Sequence, residues 1–594
     1  MSKSSRQEAG THQEQGFLRR YVFSTDHKII GIQYFLTGGL MGVLGALLAA
    51  LIRLQLAWPG RQWEWLAVVF PSGMESGVMK PEFYVMLVTM HGTIMIFFFV
   101  SFCLVSGFGN YLIPLQVGAR DMAFPFLNML SYWTIVPAIL IAAASFFVEG
   151  GAAASGWTAY PPLSAIRTAV PGSGWGQTLW LLAVALFIVS FTMGSLNFVT
   201  TIINLRARGM SLLRLPLTIW CLFISSILGL LAFPPLTAAA IMLLFDRHLG
   251  SSFYIPSGVY IAGTLLPNEG GSPLLWQHLF WFLGHPEVYV LILPALGVTF
   301  EVLAPFTRRP VFGYRLTVYS LLVIAFLSMV VWGHHMFVSG MSPVIGEFFS
   351  VGTLLITIPS AIIGVNMIAT LWGGMLRLSA AAMYALGTIA LFGVGGMGGV
   401  FLGNAAADVQ LHDTAFVVGH FHFMIGGVTL FAIFSGTYYW YPKMFGRMMN
   451  ETLGKLHFWL TIVPFYSIFV SMHFLGIAGA PRRYYDLSRY TFLQGVDWMG
   501  PFITIMAFIM IGGQVFFLVN LVGSWWKGRR AEANPWQATT LEWTAPSPPP
   551  HGNWGDSEPV VHRWPYDYSV AGAPQDFTLQ TDPTPVAGVA VERS

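Results

Sequence analysis

The chain has 594 residues, 55% of them hydrophobic and only 9% charged, with a net charge of +3. Soluble proteins carry about 25% charged residues, so this chain has too few to cover a water-exposed surface, and its expected solvent is lipid. The small net charge gives no reason to expect a nucleic-acid partner.

In an N-terminal segment over 1–28, residues 1–20 are polar, with Arg6, Arg19 and Arg20, and lack the apolar core of a signal peptide. The first long apolar run therefore reads as a retained membrane helix. Runs long enough to cross a bilayer, about 20 residues each, occur at roughly 29–52, 84–114, 127–149, 178–203, 215–244, 274–304, 315–339, 348–372, 380–403, 414–440, 457–478 and 499–524. The fold class this predicts is an all-α integral membrane protein. A single bundle of twelve transmembrane helices over 29–526 is expected, uninterrupted by a soluble domain. Lys527, Arg529 and Arg530 end the last helix, and a Pro-rich tail over 527–594 follows, with Pro546, Pro548, Pro549 and Pro550. That tail is expected to lie on a surface or to be partly disordered.

Twelve spans put both termini on one side. That side holds 21 of the 29 Lys and Arg, including Arg206, Arg208, Arg214, Arg308, Arg309, Arg315, Lys443, Arg447 and Lys455. The excess of positive charge predicts that both termini are cytoplasmic. The two cysteines, Cys103 and Cys221, lie in apolar runs and read as small buried hydrophobes. No disulfide, iron–sulfur cluster or thiolate copper centre is expected within the chain.

Six imidazoles and a phenol stand out in these apolar runs: His91, His285, Tyr289, His334, His335, His420 and His422. Polar groups at membrane depth are expensive and mark function, and this donor set suits copper or haem iron. His420 and His422 are two residues apart, so on a helix they point about 200° apart. They cannot share one metal, but each can ligate a different centre on opposite sides of the helix. His91 is a candidate second axial ligand for one of these. His285 and Tyr289 are four apart on one helical face, where their side chains meet. With His334 and His335 from another helix, His285 makes a plausible three-histidine copper site beside a redox-competent phenol.

The strings WFLGHPEVYVLILP, VVWGHHMF, LHDTAFVVGHFHF, TMHGTIMIFF, GNYLIPLQVGARDMAFPFLN and GAPRRYYD resemble those of subunit I of the haem–copper oxygen reductases, most nearly the A-type. The resemblance runs from about Asp26 to Asp486 in the family's order, and the tail string LEWTAPSPPPHGNW is similar to that of bacterial members. It implies a proton-pumping respiratory oxidase in a bacterial plasma membrane that reduces O2 to water. The implied cofactors are two haems, expected to be haem A, and a copper called CuB. His91 and His422 would ligate the low-spin haem and His420 the high-spin haem. His285, His334 and His335 would hold CuB, with His285 and Tyr289 covalently linked. The implied partners are cytochrome c as donor, a subunit II carrying a CuA centre, a subunit III and small subunits.

Arg482 and Arg483 suit haem propionates, because guanidinium forks pair with carboxylates, and the family uses an Arg-Arg pair in that way. Arg53 matches an arginine at the low-spin haem. His412 and Asp413 match a Mg2+ or Mn2+ site completed by subunit II, and Asp408 a further acid of the propionate region. Forming water consumes protons inside the membrane, so a polar route is needed. Asp121 lies in a loop, Asn110 and Asn128 flank it, and Ser190 continues inward. Glu287 is about 200° around the helix from His285, and a carboxyl in an apolar interior favours the protonated form a shuttle requires. By resemblance these residues form a proton pathway with Asp121 at the mouth and Glu287 at the branch point.

A second pathway departs from the family's pattern. Where A-type members carry a lysine after an Ile-Pro, this chain has Ile363, in the string Ile358-Pro359-Ser360-Ala361-Ile362-Ile363. Phe300 stands where a small hydroxyl residue is common. Isoleucine cannot relay a proton, and Ser360 and Thr357 are a weak substitute. Protons for metal reduction are therefore expected through Asp121 and Glu287 or by a different route. Quinol-oxidising relatives carry an Arg and an Asp in the first span, but residues 43–51 are apolar here, which favours cytochrome c over quinol. Nitric-oxide-reducing relatives usually lack the tyrosine that Tyr289 supplies.

Overall fold

Helix follows from the chain's solvent: in lipid every backbone N–H and C=O must be paired within the segment. The computed structural model describes residues 16–261, 263–268, 270–555, 557–570 and 575–583. Most of the expected N-terminal segment, Arg6 included, lies outside them, as does the end of the tail.

The long helices in chain order are α1 (His27–Ala57), α2 (Pro81–Val117), α3 (Pro125–Ala144), α4 (Trp175–Asn204), α5 (Leu217–His248) and α6 (Pro273–Thr307). After them come α7 (Tyr314–Ser328), α8 (Pro343–Leu371), α9 (Ala380–Gly403), α10 (Ala415–Phe445), α11 (Glu451–Ile477) and α12 (Met499–Lys527). Several start on the expected signals. The Asp26 carboxylate accepts from Lys28 N at α1, the Asn450 side chain caps α11, and proline opens α2, α3, α6 and α8. Two antiparallel two-residue ribbons lie in the connections: β1 (Met74–Glu75) with β2 (Val78–Met79), and β3 (Tyr260–Ile261) with β4 (Thr264–Leu265).

Among the described residues eleven helices are long and apolar enough to cross a bilayer. The seventh expected span, 315–339, is corrected. Helix α7 stops at Ser328, and Trp332–Met336 form a separate 3-10 turn. Gly333 makes the break possible, since a Cβ there would lie 2.4 Å from the Phe349 ring of α8. His334 and His335 therefore sit on a turn braced by α8, not on a helix.

The most apolar 18-residue stretch of α6 is 89% buried and that of α2 78%, against 28% for α1, α8 and α12. Helices α2 and α6 thus form the centre, α4, α5 and α10 are about half buried, and α1, α3, α8 and α12 are the most exposed outer wall. Two stretches of the long helices are wound as π helix, Ile94–Gly107 within α2 and His422–Val428 within α10. Such windings recur at functional sites, and each lies beside a candidate ligand, His91 or His422.

The Pro-rich tail packs on the bundle. Leu541, Trp543 and Tyr566 are buried. The Asn553 side chain donates to Ala119 O at 2.8 Å and accepts from Lys28 Nζ at 3.1 Å. The tail and the start of α1 therefore share one side of the bundle.

At Gly476 in α11 a Cβ would lie 2.0 Å from the backbone N of Phe416 in α10, whereas at Gly39 in α1 nothing lies within 4 Å. Gly476→Val is expected to destabilise by about 1–3 kcal/mol through overpacking. It should lower the thermal midpoint of the purified complex, and Gly39→Ala should not.

Candidate metal centres

His285, on α6, meets His334 and His335 of the 3-10 turn. One nitrogen from each imidazole lies within 4.8 Å of the other two. The His285 ring centroid is 4.4 Å from that of His334 and 5.5 Å from that of His335, and its Nδ1 is 3.4 Å from His335 Nε2. Two of the rings are oriented from behind. Thr353 Oγ1 gives its proton to Phe349 O, so it accepts from His334 Nδ1–H at 2.8 Å, leaving His334 Nε2 as the free donor atom. His335 stacks on the Trp281 indole, with centroids 3.8 Å apart and planes 8° apart. Trp281 in turn donates its N–H to the Tyr160 hydroxyl. Tyr289 lies one turn after His285, with ring centroids 5.0 Å apart. Three converging neutral imidazoles with an open side fit a copper ion.

The three remaining histidines share another device. His91 Nδ1–H donates to Gly45 O of α1 at 2.9 Å, and His420 Nδ1–H donates to Gly395 O of α9 at 2.9 Å. His422 Nδ1–H donates to Val418 O, one turn back, at 2.8 Å. A carbonyl can only accept, so each Nδ1 carries the proton and each Nε2 presents a lone pair, the form an axial haem ligand takes. His422 lies within electrostatic reach of His91, and His420 of His334. The 200° divergence of His420 and His422 therefore separates two centres, and the His420 centre lies next to the copper site. Gly398 and Gly399 of α9 make room for the His420 ring: a Cβ at either would come within 3.1 Å of it. The residues present fit two haems.

Arg482 and Arg483 lie close by in the loop after α11. Arg482 pairs with Asp413 at 3.1 Å. Burial, with Arg482 alongside, lowers the pKa of Arg483 to about 10, which leaves it charged at neutral pH. A desolvated cation of this kind fits a haem carboxylate. Arg53 donates to Thr504 Oγ1 and Gly500 O of α12. His412 Nδ1 is 3.0 Å from Asp408 Oδ2. The two members of the expected Mg2+ or Mn2+ site are thus each paired within the chain, His412 with Asp408 and Asp413 with Arg482.

The expected proton route is partly assembled. Burial pushes the pKa of Asp121 up from the usual carboxylate value. Asn128 has both side-chain polar atoms buried without a partner, and Asn110 its Oδ1. A small cavity above them is lined by Asn110, Ser131, Ser190 and Tyr34. The Tyr34 hydroxyl lies 3.1 Å from Ser131 Oγ and 3.2 Å from Ser190 Oγ. Glu287 is buried, with Oε1 unpartnered. Ile363 is fully buried, so the position of the missing lysine is a closed apolar contact.

Sequence reasoning missed Thr353, Trp281, Tyr34 and Ser131. Trp281 had a signal, standing four residues before His285 on the same helical face. A threonine 19 residues from its histidine had none.

Residues 29–515 match the family model for cytochrome c and quinol oxidase polypeptide I. The chain is 48% identical over 572 residues to the alternative cytochrome c oxidase subunit 1 of Bradyrhizobium diazoefficiens, covering 96% of this chain and 94% of that one. It is 39% identical over 559 residues to cytochrome c oxidase subunit 1 of Cereibacter sphaeroides, covering 91% and 95%. Its fold is similar to the cryo-EM structure of a heme-copper terminal oxidase dimer, with TM-score 0.65 and 20% identity over 85% of each chain. The chain belongs to the cytochrome c and quinol oxidase polypeptide I family. It is the catalytic subunit of a haem–copper terminal oxidase.

Thr353→Val removes the group that orients His334. Loss of such a partner costs roughly 10–100-fold in metal affinity. The variant is expected to lose copper on dialysis against a chelator while keeping its haem content, as read by metal and haem analysis.

Proposed function

We propose that this subunit reduces O2 to water at the His285, His334, His335 and Tyr289 cluster, with electrons from cytochrome c arriving through a CuA-bearing subunit II. Proton uptake and pumping across a bacterial plasma membrane accompany the reaction, and both termini are cytoplasmic. The carrying observation is the His285–Tyr289 ring contact at 5.0 Å within reach of two further imidazoles. Bound copper and two haems, of the A type, supply the site for oxygen and the electrons that reduce it. His285, His334 and His335 hold the copper, His420 one haem, and His91 with His422 the other. Arg53, Arg482 and Arg483 fix the haem substituents. His412 and Asp413 hold Mg2+ or Mn2+ together with subunit II, Asp413 through the carboxylate oxygen that does not pair with Arg482. Subunit III and small subunits cover parts of the apolar wall.

The Tyr289 hydroxyl is the proton and electron donor beside the copper ligands. Asp121 takes protons from the tail side of the bundle and passes them by Asn110, Asn128 and Ser190 towards Glu287. Tyr34 and Ser131, which complete the hydroxyl cluster at Ser190, belong to the same route. Glu287 divides protons between the reaction and the far side.

Tyr289→Phe should cut oxygen consumption by roughly 10^2–10^4-fold, the usual worth of a positioned proton donor, while both haem absorption bands remain. Wild-type complex should turn over O2 with reduced cytochrome c faster than with a quinol, and faster than it turns over NO. Preference for quinol or NO would move the protein to another branch of the family.

A further inference from the structure

Helix α6 carries a second carboxyl that the proposed reaction does not use. Glu301 lies fourteen residues beyond Glu287, about 21 Å along the helix and about 40° around it, and is 1% exposed. Glu542 of the tail, fully buried, lies within electrostatic reach. Thr218 of α5 donates to Glu301 Oε2 at 3.1 Å and Tyr566 of the tail donates to the same oxygen at 3.0 Å. Gln116 of α2 donates to Glu542 Oε1 at 3.0 Å and Trp440 of α10 at 3.2 Å. The other Glu542 oxygen is buried without a partner, as are the hydroxyls of Thr540 and Tyr439 around it.

One cation faces the pair. Lys443 of α10 lies within electrostatic reach of Glu542 and donates to Ala545 O at 2.7 Å. Tyr314 of α7 and Tyr439 and Tyr568 complete the titratable surroundings. Two buried carboxyls facing one ammonium carry one negative charge too many for a dry interior, unless one of them is protonated. A protonated carboxyl also gives the unpartnered oxygen a proton to donate to its neighbours. Burial pushes Glu542 up from the usual carboxylate range, in the same direction.

Polar side chains flank the pair on both sides. Outward, Tyr568 lies within electrostatic reach of both Glu301 and Arg308, and Arg308 lies 3.7 Å from the half-exposed Asp576. Inward, Tyr566 packs on Tyr314, with centroids 6.2 Å apart. Thr317, one turn along α7 from Tyr314, accepts from Asn366 of α8 at 2.8 Å. Asn366 is one turn from Ile363. Polar side chains thus stand on both sides of the pair, the innermost on α7 and α8 within a turn of Ile363.

We propose that Glu301 and Glu542 hold one exchangeable proton between them, and that this pair is the tail-side proton site serving the reaction centre in place of the lysine. On uptake a proton moves from water to a carboxylate of the pair. On delivery it leaves the same carboxyl for the interior, and no bond other than O–H is made or broken. The proposal rests on the oxygen-reducing reading of the site, because that reaction is what consumes interior protons.

The test uses the assembled oxidase with Glu301→Gln, Glu542→Gln and Glu301→Asp. High-spin haem reduction is followed under anaerobic conditions, with proton uptake read by a pH dye and the protonated-carboxyl band by infrared difference spectroscopy. Both Gln variants are expected to slow haem reduction and proton uptake at least tenfold and to remove the same carboxyl band, with Glu301→Asp restoring both. Wild-type rates in both Gln variants, or a carboxyl band that survives either change, would overturn the proposal. If Glu301→Gln fails to assemble, Glu542→Gln on the tail carries the same readouts. Absence of oxygen turnover in the unmutated complex would overturn the oxidase reading, and this proposal with it.

Discussion

An imidazole has two nitrogens, and in an apolar helix bundle each must find a partner. That constraint organises this molecule. For His91, His420 and His422 a backbone carbonyl takes the Nδ1 proton, and for His334 the Thr353 hydroxyl does. Every such bond fixes a tautomer and leaves one lone pair pointing inward. The surrounding helices exist in part to supply those acceptors: Gly45 of α1, Gly395 of α9 and Thr353 of α8 all come from outside the ligand's own helix. The packing that looks hydrophobic is therefore also what aims the ligands.

The ligands themselves were legible in the sequence because the background is so apolar. A histidine among leucines and phenylalanines at membrane depth has few structural uses, and the His-x-His and His-x-x-x-Tyr spacings translate directly into angles on a helix. The twelve-helix path was legible for the same reason, since hydropathy is a strong signal over 20 residues. The supporting partners were not. Threonine and serine hydroxyls occur throughout, and nothing local marks Thr353 or Ser131 as the one that meets a distant side chain. The end of α7 at Ser328 was also hidden, because Gly333 makes room for Phe349 through a tertiary contact while the run around it stays apolar. The tail's prolines gave a loop that lies on a surface or is partly disordered, and the described part packs on the bundle; Trp543 and Tyr566 are the residues that seat it.

Proton supply is where this chain parts from its family's pattern. The rings of His285, His334, His335 and Tyr289 come together, and the hydroxyls of Tyr34, Ser131 and Ser190 cluster above Asn110. Ile363 instead seals the position from which a lysine would act. The tail then gains a chemical meaning beyond packing. By bringing Tyr566 against Glu301 and Glu542 within electrostatic reach of it, the tail completes a buried acid site that no single segment contains.

The central claim is that the two-residue step from His420 to His422, about 200° around the helix, divides two haem centres between opposite faces of α10. Replacing His420 with glycine and recording reduced spectra with and without carbon monoxide tests it most directly. The account predicts loss of the carbon-monoxide-binding haem signal with the bis-histidine low-spin signal retained. Loss of the low-spin signal with carbon monoxide binding intact would contradict it.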